Sequence, residues 1–201
     1  SDGVYGASKV TAELKEEGHR CGRHKVARLM RKAGLKGCPK LSFKVTTQRD
    51  PSHPVADNLL EQDFTADSPN ERWASDITYI STHQGWLYLA VVMDLYSRRI
   101  VGWSMGRWIN RHLVIDALNM AIGQRCPGGD LIHHSDRGSQ YTSDDFREAL
   151  EKNKIQCSMS GRGNCYDNAV VESFFGLLKR ERVNRTRYLT RDEAKQDIFD
   201  Y

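Results

Sequence analysis

Two different hydrophobic periods divide the chain. Up to about residue 36 the apolar positions recur at helical spacing. Val10 and Leu14 mark one face of a helix expected from Ser8 to Glu17, which Gly18 stops. A short turn through Arg20-Cys21-Gly22 leads to a second helix, from about Arg23 to Ala33. Val26, Leu29 and Met30 share its apolar face, and Gly34 is expected as its C-terminal cap. Two short helices around a Gly-containing turn predict a helix-turn-helix module over residues 1–36. Residues 37–63, with Pro39, Pro51, Pro54 and the basic stretch Lys40–Arg49, keep no period and read as a linker.

Beyond Phe64 the period shortens to that of strands and then alternates. Trp73–Ile80, Trp86–Asp94 and Ile100–Met105 are β-prone runs with short connections, which predicts three consecutive antiparallel strands. Leu113–Ile122 reads as a helix, Leu131–Ser135 as a short buried strand, and Thr142–Lys152 as a helix opened by a capping-box pair, Thr142 with Asp145. Ile155–Met159 is a further strand. Asp167 caps a long helix to about Arg182, and Thr190 with Glu193 opens a last one that stops with the chain at Tyr201. The order β-β-β-α-β-α-β-α predicts an α/β core over residues 64–201. It is a mixed five-stranded sheet flanked by helices, its last two strands added through right-handed crossovers. That is the ribonuclease H-like architecture.

Composition adds little until it is divided along the chain. Of 201 residues, 39% are hydrophobic and 28% charged, enough for a real core. No apolar run approaches the roughly 18 residues of a membrane span, and the N-terminus lacks the pattern of a signal peptide. A soluble, intracellular protein is expected. The absent initiator Met and the stop at Tyr201 suggest a fragment or a processed form. Cys21, Cys38, Cys126, Cys157 and Cys165 are odd in number and scattered, which fits a reducing compartment. His19, Cys21, His24 and Cys38 contain zinc-ligating types, but the spacing matches no standard finger; ordinary helix-turn-helix residues are the preferred reading. Charge is uneven. Residues 1–49 hold 12 Lys/Arg against 4 Asp/Glu, and the remainder 18 against 22. A basic N-terminal module suits a polyanion, with Arg23, Lys25, Arg28, Arg31 and Lys32 of the second helix facing phosphates or base edges.

Three carboxylates stand where chemistry is expected. Asp76 lies within the first strand, where an ionised group needs compensation, and a cation is the usual remedy. Asp136 follows the carboxyl end of the next parallel strand, the position at which α/β sheets bind ligands. Glu172 lies one turn into the long helix, with 35 residues between it and Asp136. Together they can hold two Mg²⁺ (or Mn²⁺) ions for in-line phosphoryl transfer. Asn168 and Lys179 share the helix face of Glu172, and Ser160-Gly161-Arg162-Gly163-Asn164 reads as a mobile basic loop. Lys179 and Arg162 are candidate DNA contacts, as is Asn168.

The blocks Pro69–Tyr79, His133–Tyr141 and Gly163–Phe175 resemble the integrase core of bacterial insertion-sequence transposases. The subgroup is the one whose catalytic frame is joined by frameshifting to an upstream helix-turn-helix frame, and its core is similar to that of retroviral integrases. The resemblance extends through Tyr5-Gly6 and the helices that follow. It implies that Asp76, Asp136 and Glu172 ligate the metals and that Lys179 contacts a DNA end. It further implies binding to terminal inverted repeats and target DNA, donor-strand nicking, and attack by the freed 3′-hydroxyl. Homo-oligomers on paired ends, an upstream helix-turn-helix product as partner, and a bacterial cytoplasmic, nucleoid-associated location also follow. Two other readings stay open: a nuclease of the same fold that never joins strands, and a non-catalytic DNA-binding regulator.

Overall fold

The computed structural model describes residues 5–37, 56–161 and 168–201. It divides into two compact units. One contains helices α1 (Ala7–Glu16) and α2 (Arg23–Lys32) together with Gly176–Thr186. The other contains strands β1 (Arg72–Thr82), β2 (Gly85–Asp94), β3 (Ile100–Gly106), β4 (Ile132–Ser135) and β5 (Gln156–Met159). It also holds α3 (Arg111–Arg125), α4 (Asp144–Lys152), the start of α5 (Ala169–Glu181) and α6 (Arg191–Phe199).

The sheet has the order β3-β2-β1-β4-β5. β1, β2 and β3 pair antiparallel, while β4 lies parallel to β1 and β5 parallel to β4, as the mixed five-stranded expectation requires. The first hairpin is tight: Thr82 pairs with Gly85, whose φ of 99° is one that side chains with a Cβ rarely adopt. β2 is buried at nearly every position from Leu87 to Asp94, which explains its unbroken apolar run. Trp73, Val101, Leu118 and Phe146 join the main core between the sheet and α3 and α4.

Two features of this core refine the sequence reading. Helix α3 starts at Arg111 with Asn110 as its cap, whose side chain accepts from the Leu113 N–H. It lies so close to β3 that a Cβ on Gly102 would sit 2.2 Å from the Ala117 carbonyl oxygen. Helix α4 opens one residue later than its capping-box pattern suggested. Ser143 is the cap, accepting from the Phe146 N–H, because Thr142 is drawn fully into the interior, where its hydroxyl donates to the Gly138 carbonyl. Asp145 pairs instead with Arg111, at 2.7 Å.

In the helical unit both α1 and α2 end in Schellman turns. The N–H of His19 reaches the Leu14 carbonyl past Gly18 (φ 87°), and that of Leu35 reaches Met30 past Gly34 (φ 70°). Val26 is buried as expected, but Leu29 is 52% exposed and does not belong to the apolar face. Glu181, 5% exposed at its side chain, pairs with Lys9 at 2.7 Å. Gly37 lies against Gly6, so closely that a Cβ there would meet the Gly6 Cα at 2.7 Å. That contact places the start of the expected linker within the module.

Candidate active site

Parallel pairing of β1 and β4 ends in the register Ser75↔Ser135, so Asp76 within β1 and Asp136 just past β4 are the next residues of the two adjoining segments. Adjacent strands lie about 4.8 Å apart, so this register brings both aspartates to the carboxyl end of β4. Each carboxylate is anchored by a backbone donor. Asp76 Oδ1 accepts from the Ile77 N–H at 2.7 Å, and Asp136 Oδ1 from the Gly138 N–H at 2.9 Å. The third carboxylate arrives through a tie between elements. Asn168, just before α5, donates its side-chain amide to the Ser75 carbonyl at 3.0 Å, which fixes the helix start beside Asp76. Glu172 follows one turn later, half-buried.

Two of these carboxylates act on one another. Burial raises the Asp136 carboxyl above its ordinary range. Burial also raises Glu172, and the Asp136 charge adds to it. Asp136 and Glu172 are therefore within electrostatic reach, and both carry a desolvation cost that a cation would offset. Among the described residues no three His, Cys, Asp or Glu side chains stand close enough together to hold a metal ion as placed. The donor set itself, three carboxylates with only oxygen to offer, fits a hard divalent cation that completes its shell with water.

Beneath this edge runs a buried polar layer that the sequence reading did not single out. Ser75 and His133 share a hydrogen bond of 2.7 Å, and His134 Nδ1 and Ser158 share one of 2.8 Å. Ser158 also accepts from the Leu59 N–H. Burial, helped by the neighbouring His134, lowers the His133 pKa to about 3, so this ring is neutral at physiological pH. The pattern His-His-Ser-Asp at a strand end was the available signal. It was read only as part of a motif, because burial of a histidine depends on what packs over it. The burial of Tyr141 is likewise set by packing and not by local pattern. This residue is 2% exposed, packs edge-on against Phe146 with ring centroids 5.3 Å apart, and its hydroxyl has no partner among the described residues.

The other predicted residues are distributed unevenly. Arg23, Lys25, Arg28, Arg31 and Lys32 are all exposed on α2. Lys179 lies in the last turn of α5. Asn168, expected at DNA, is only 5% exposed and bonds within the protein, because the helix start needs an anchor on β1. Arg162 and the helix cap Asp167 lie outside the described residues, as does Cys38 of the zinc-type cluster. Ser160, read as part of a mobile loop, is buried and bonds to the Ser135 carbonyl and the His134 ring.

Comparison with known proteins gives this geometry a family. Residues 66–165 match an integrase core domain, residues 172–201 a second integrase core description, and residues 1–40 an HTH-like domain. The InsF transposase for insertion sequence IS3A of Escherichia coli K12 is 44% identical over 197 residues, covering 98% of this chain and 68% of the transposase. The chain belongs to the IS3-type family of insertion-sequence transposases. A 31 kDa protein of insertion element IS600 from Shigella sonnei is likewise 44% identical over 98% of this chain and 73% of its own length. The fold is shared more widely. A chain of a simian T-cell lymphotropic virus intasome, solved in complex with the PP2A regulatory subunit B56 gamma, superposes with a TM-score of 0.57 at 17% identity, over 94% of this chain and 63% of that chain. The HTLV-2 integrase catalytic core, solved with magnesium, gives 0.52 at 20% identity over 67% of this chain and 88% of its own. At such identities only the ribonuclease H-like architecture is shared. No helix among the described residues is long and apolar enough to cross a membrane.

Proposed function

We propose that Asp76, Asp136 and Glu172 are the metal-ligating carboxylates of a transposase centre that nicks donor DNA and then joins the freed 3′-hydroxyl to target DNA. The observation that carries this reading is the register Ser75↔Ser135, from which Asp76 and Asp136 both follow at the carboxyl end of β4, with the start of α5 tied to β1. Bound Mg²⁺ or Mn²⁺, two ions in the full site, would supply charge neutralisation and Lewis acidity at the scissile phosphate. The protein's own part is positional. Backbone amides hold one oxygen of each aspartate, the Asn168 tie holds α5, and the raised carboxyls favour a cation over three bare charges.

In nicking, water attacks phosphorus in line and a 3′-oxygen leaves as hydroxyl. In joining, that hydroxyl attacks a second phosphodiester and displaces another 3′-oxygen, so one bond forms for each that breaks. Lys179 and Arg162 contact DNA in this reading, and the α2 cations engage the terminal repeats. Asn168 acts on DNA only through the helix that it positions. Assembly on paired ends as a homo-oligomer, an upstream helix-turn-helix partner, and action at the bacterial nucleoid in the cytoplasm complete the proposal.

The test is a strand-transfer assay on labelled terminal-repeat DNA with Mg²⁺ or Mn²⁺, comparing the wild type with Glu172→Gln. Loss of product by about three orders of magnitude, some 4 kcal/mol of barrier, is expected, with DNA binding retained. Cleaved but never joined DNA from the wild type would assign the nuclease reading instead. Equal loss of binding and chemistry in a folded Glu172→Gln protein would remove the glutamate from its role.

A further inference from the structure

The turn after Asp136 holds an unexplained buried hydroxyl. Tyr141 is fixed from both sides: its N–H donates to the Gly138 carbonyl at 3.0 Å, and its ring lies against Phe146 and the His133 ring. The ring packing accounts for an aromatic residue there but not for a phenol. The hydroxyl is buried and has no hydrogen-bond partner among the described residues. A buried donor left unpaired is costly, and a phenylalanine would fill the same space without that cost. The surroundings point to what the hydroxyl is for. The Gly138 that accepts from the Tyr141 N–H gives its own N–H to Asp136 Oδ1, so Tyr141 is held on the turn that holds this carboxylate; burial raises the pKa of the phenol, and the charges of Asp76 and Asp136 add to that rise.

We propose that Tyr141 is a positioning residue for the aspartate pair, its hydroxyl donating to a carboxylate oxygen of Asp76 or Asp136 in the cation-loaded site. The donor holds that oxygen in its ligating orientation, while the Ile77 and Gly138 amides hold the other oxygens. Hydrogen bonds to ligating groups tune metal affinity as well as geometry, because they fix ligand orientation before the ion arrives. The inference rests on the metal-binding reading above and adds a residue to it. It also accounts for why a hydroxyl is kept in a core position among Phe146 and the His133 ring.

The experiment uses the full chain and Mn²⁺ alone, followed by calorimetric titration and by tyrosine ultraviolet difference spectra, for the wild type, Asp136→Asn and Tyr141→Phe. The wild type is expected to bind Mn²⁺ and Asp136→Asn to lose that binding. Tyr141→Phe is expected to melt at or above the wild-type temperature without metal, yet to bind Mn²⁺ about tenfold more weakly. The Mn²⁺-induced tyrosine difference band should be present in the wild type and missing in Tyr141→Phe. A folded Tyr141→Phe chain that binds Mn²⁺ as tightly as the wild type overturns the positioning role and leaves the metal site standing. Metal-free destabilisation of Tyr141→Phe would assign the hydroxyl to the fold and overturn the role too. A wild type that binds no Mn²⁺ removes the metal reading itself.

Discussion

The helical unit and the sheet unit are held together by different means. In the sheet unit the core runs from Trp73 through Val92 and Leu118 to Phe146, all at most 1% exposed. In the helical unit the buried side chains among the described residues are Thr11, Val26, Leu178 and Glu181, two of them polar. Its surface carries the five cations of α2 and the half-exposed Leu29 and Leu35. One unit sets a continuous apolar core beside Asp136 and Glu172, of which the first charge acts on the second. The other has little core and presents charge, which suits a partner that completes it on binding. Substitutions should therefore act on stability in the first and on DNA affinity in the second.

The largest expected effect is at Gly102. Alanine there puts a Cβ 2.2 Å from the Ala117 carbonyl oxygen and 2.7 Å from the Ala121 nitrogen, both of them backbone atoms of α3. The helix must move off β3 as a body. Gly102→Ala is expected to cost about 4 kcal/mol in denaturant unfolding, at the upper end of overpacking penalties. A cost below about 1 kcal/mol would mean that α3 is not seated as tightly as this close approach requires.

Acid should act on the same unit. His133 binds a proton only near pH 3 when folded, against its ordinary 6.5, so the folded state holds fewer protons than the unfolded one between those values. Its contribution to stability is complete above pH 6.5 and is lost progressively as pH falls from there towards about 3. At pH 5, one and a half units below the unfolded value, the loss should reach about 2 kcal/mol. His133→Asn should flatten this part of the pH–stability curve. An unchanged slope would place the acid sensitivity elsewhere.

How much of this was legible beforehand depended on the range of the interaction. Strand and helix positions follow from periods of two and 3.6, so the five strands, their antiparallel start and the glycine-ended helices α1 and α2 could be read locally. Asp76, Asp136 and Glu172 could be singled out because a carboxylate at a strand end or in a strand needs a reason. What escaped depended on packing between distant segments. Leu29 has helical spacing but is half-exposed, with nothing among the described residues to bury it, whereas Thr142 left the cap to Ser143 because the interior took it. The Asn168–Ser75 tie, the His133–Ser75 pair and the unpaired Tyr141 hydroxyl join residues whose proximity no local pattern encodes.

The surface of α2 offers the opposite test. Arg28 and Arg31 are exposed and contribute nothing visible to the small core of their unit. The double substitution to alanine should change unfolding free energy by no more than about 0.5 kcal/mol. If each cation neutralises one phosphate, the slope of log K against log salt should fall by about 1.8, since each contact contributes about 0.9. Unaltered binding to terminal-repeat DNA would move the recognition surface off this helix. A parallel loss of stability would instead erase the contrast between the units.

A pairwise coupling probes whether the helical unit is held by more than its apolar residues. Lys9 is 44% exposed at its side chain but pairs with Glu181, which is 5% exposed, and its ammonium also lies 4.2 Å from the Tyr5 ring centroid. Solvent at the lysine screens the attraction, and the buried glutamate also has the Arg180 guanidinium at 3.9 Å. A double-mutant cycle of Lys9→Met and Glu181→Gln should therefore give a coupling of about 1 kcal/mol, at the top of the range for exposed pairs. The two single substitutions should speed amide exchange in α1 and α2 while leaving β2 protected, because β2 lies in the other unit's core. Zero coupling would leave Val26 and Leu178 to hold the helices, and the unit would then be even more dependent on its partner. Equal loosening of β2 would show that the two units unfold as one, and the division between a rigid core and a partner-completed module would fall with it.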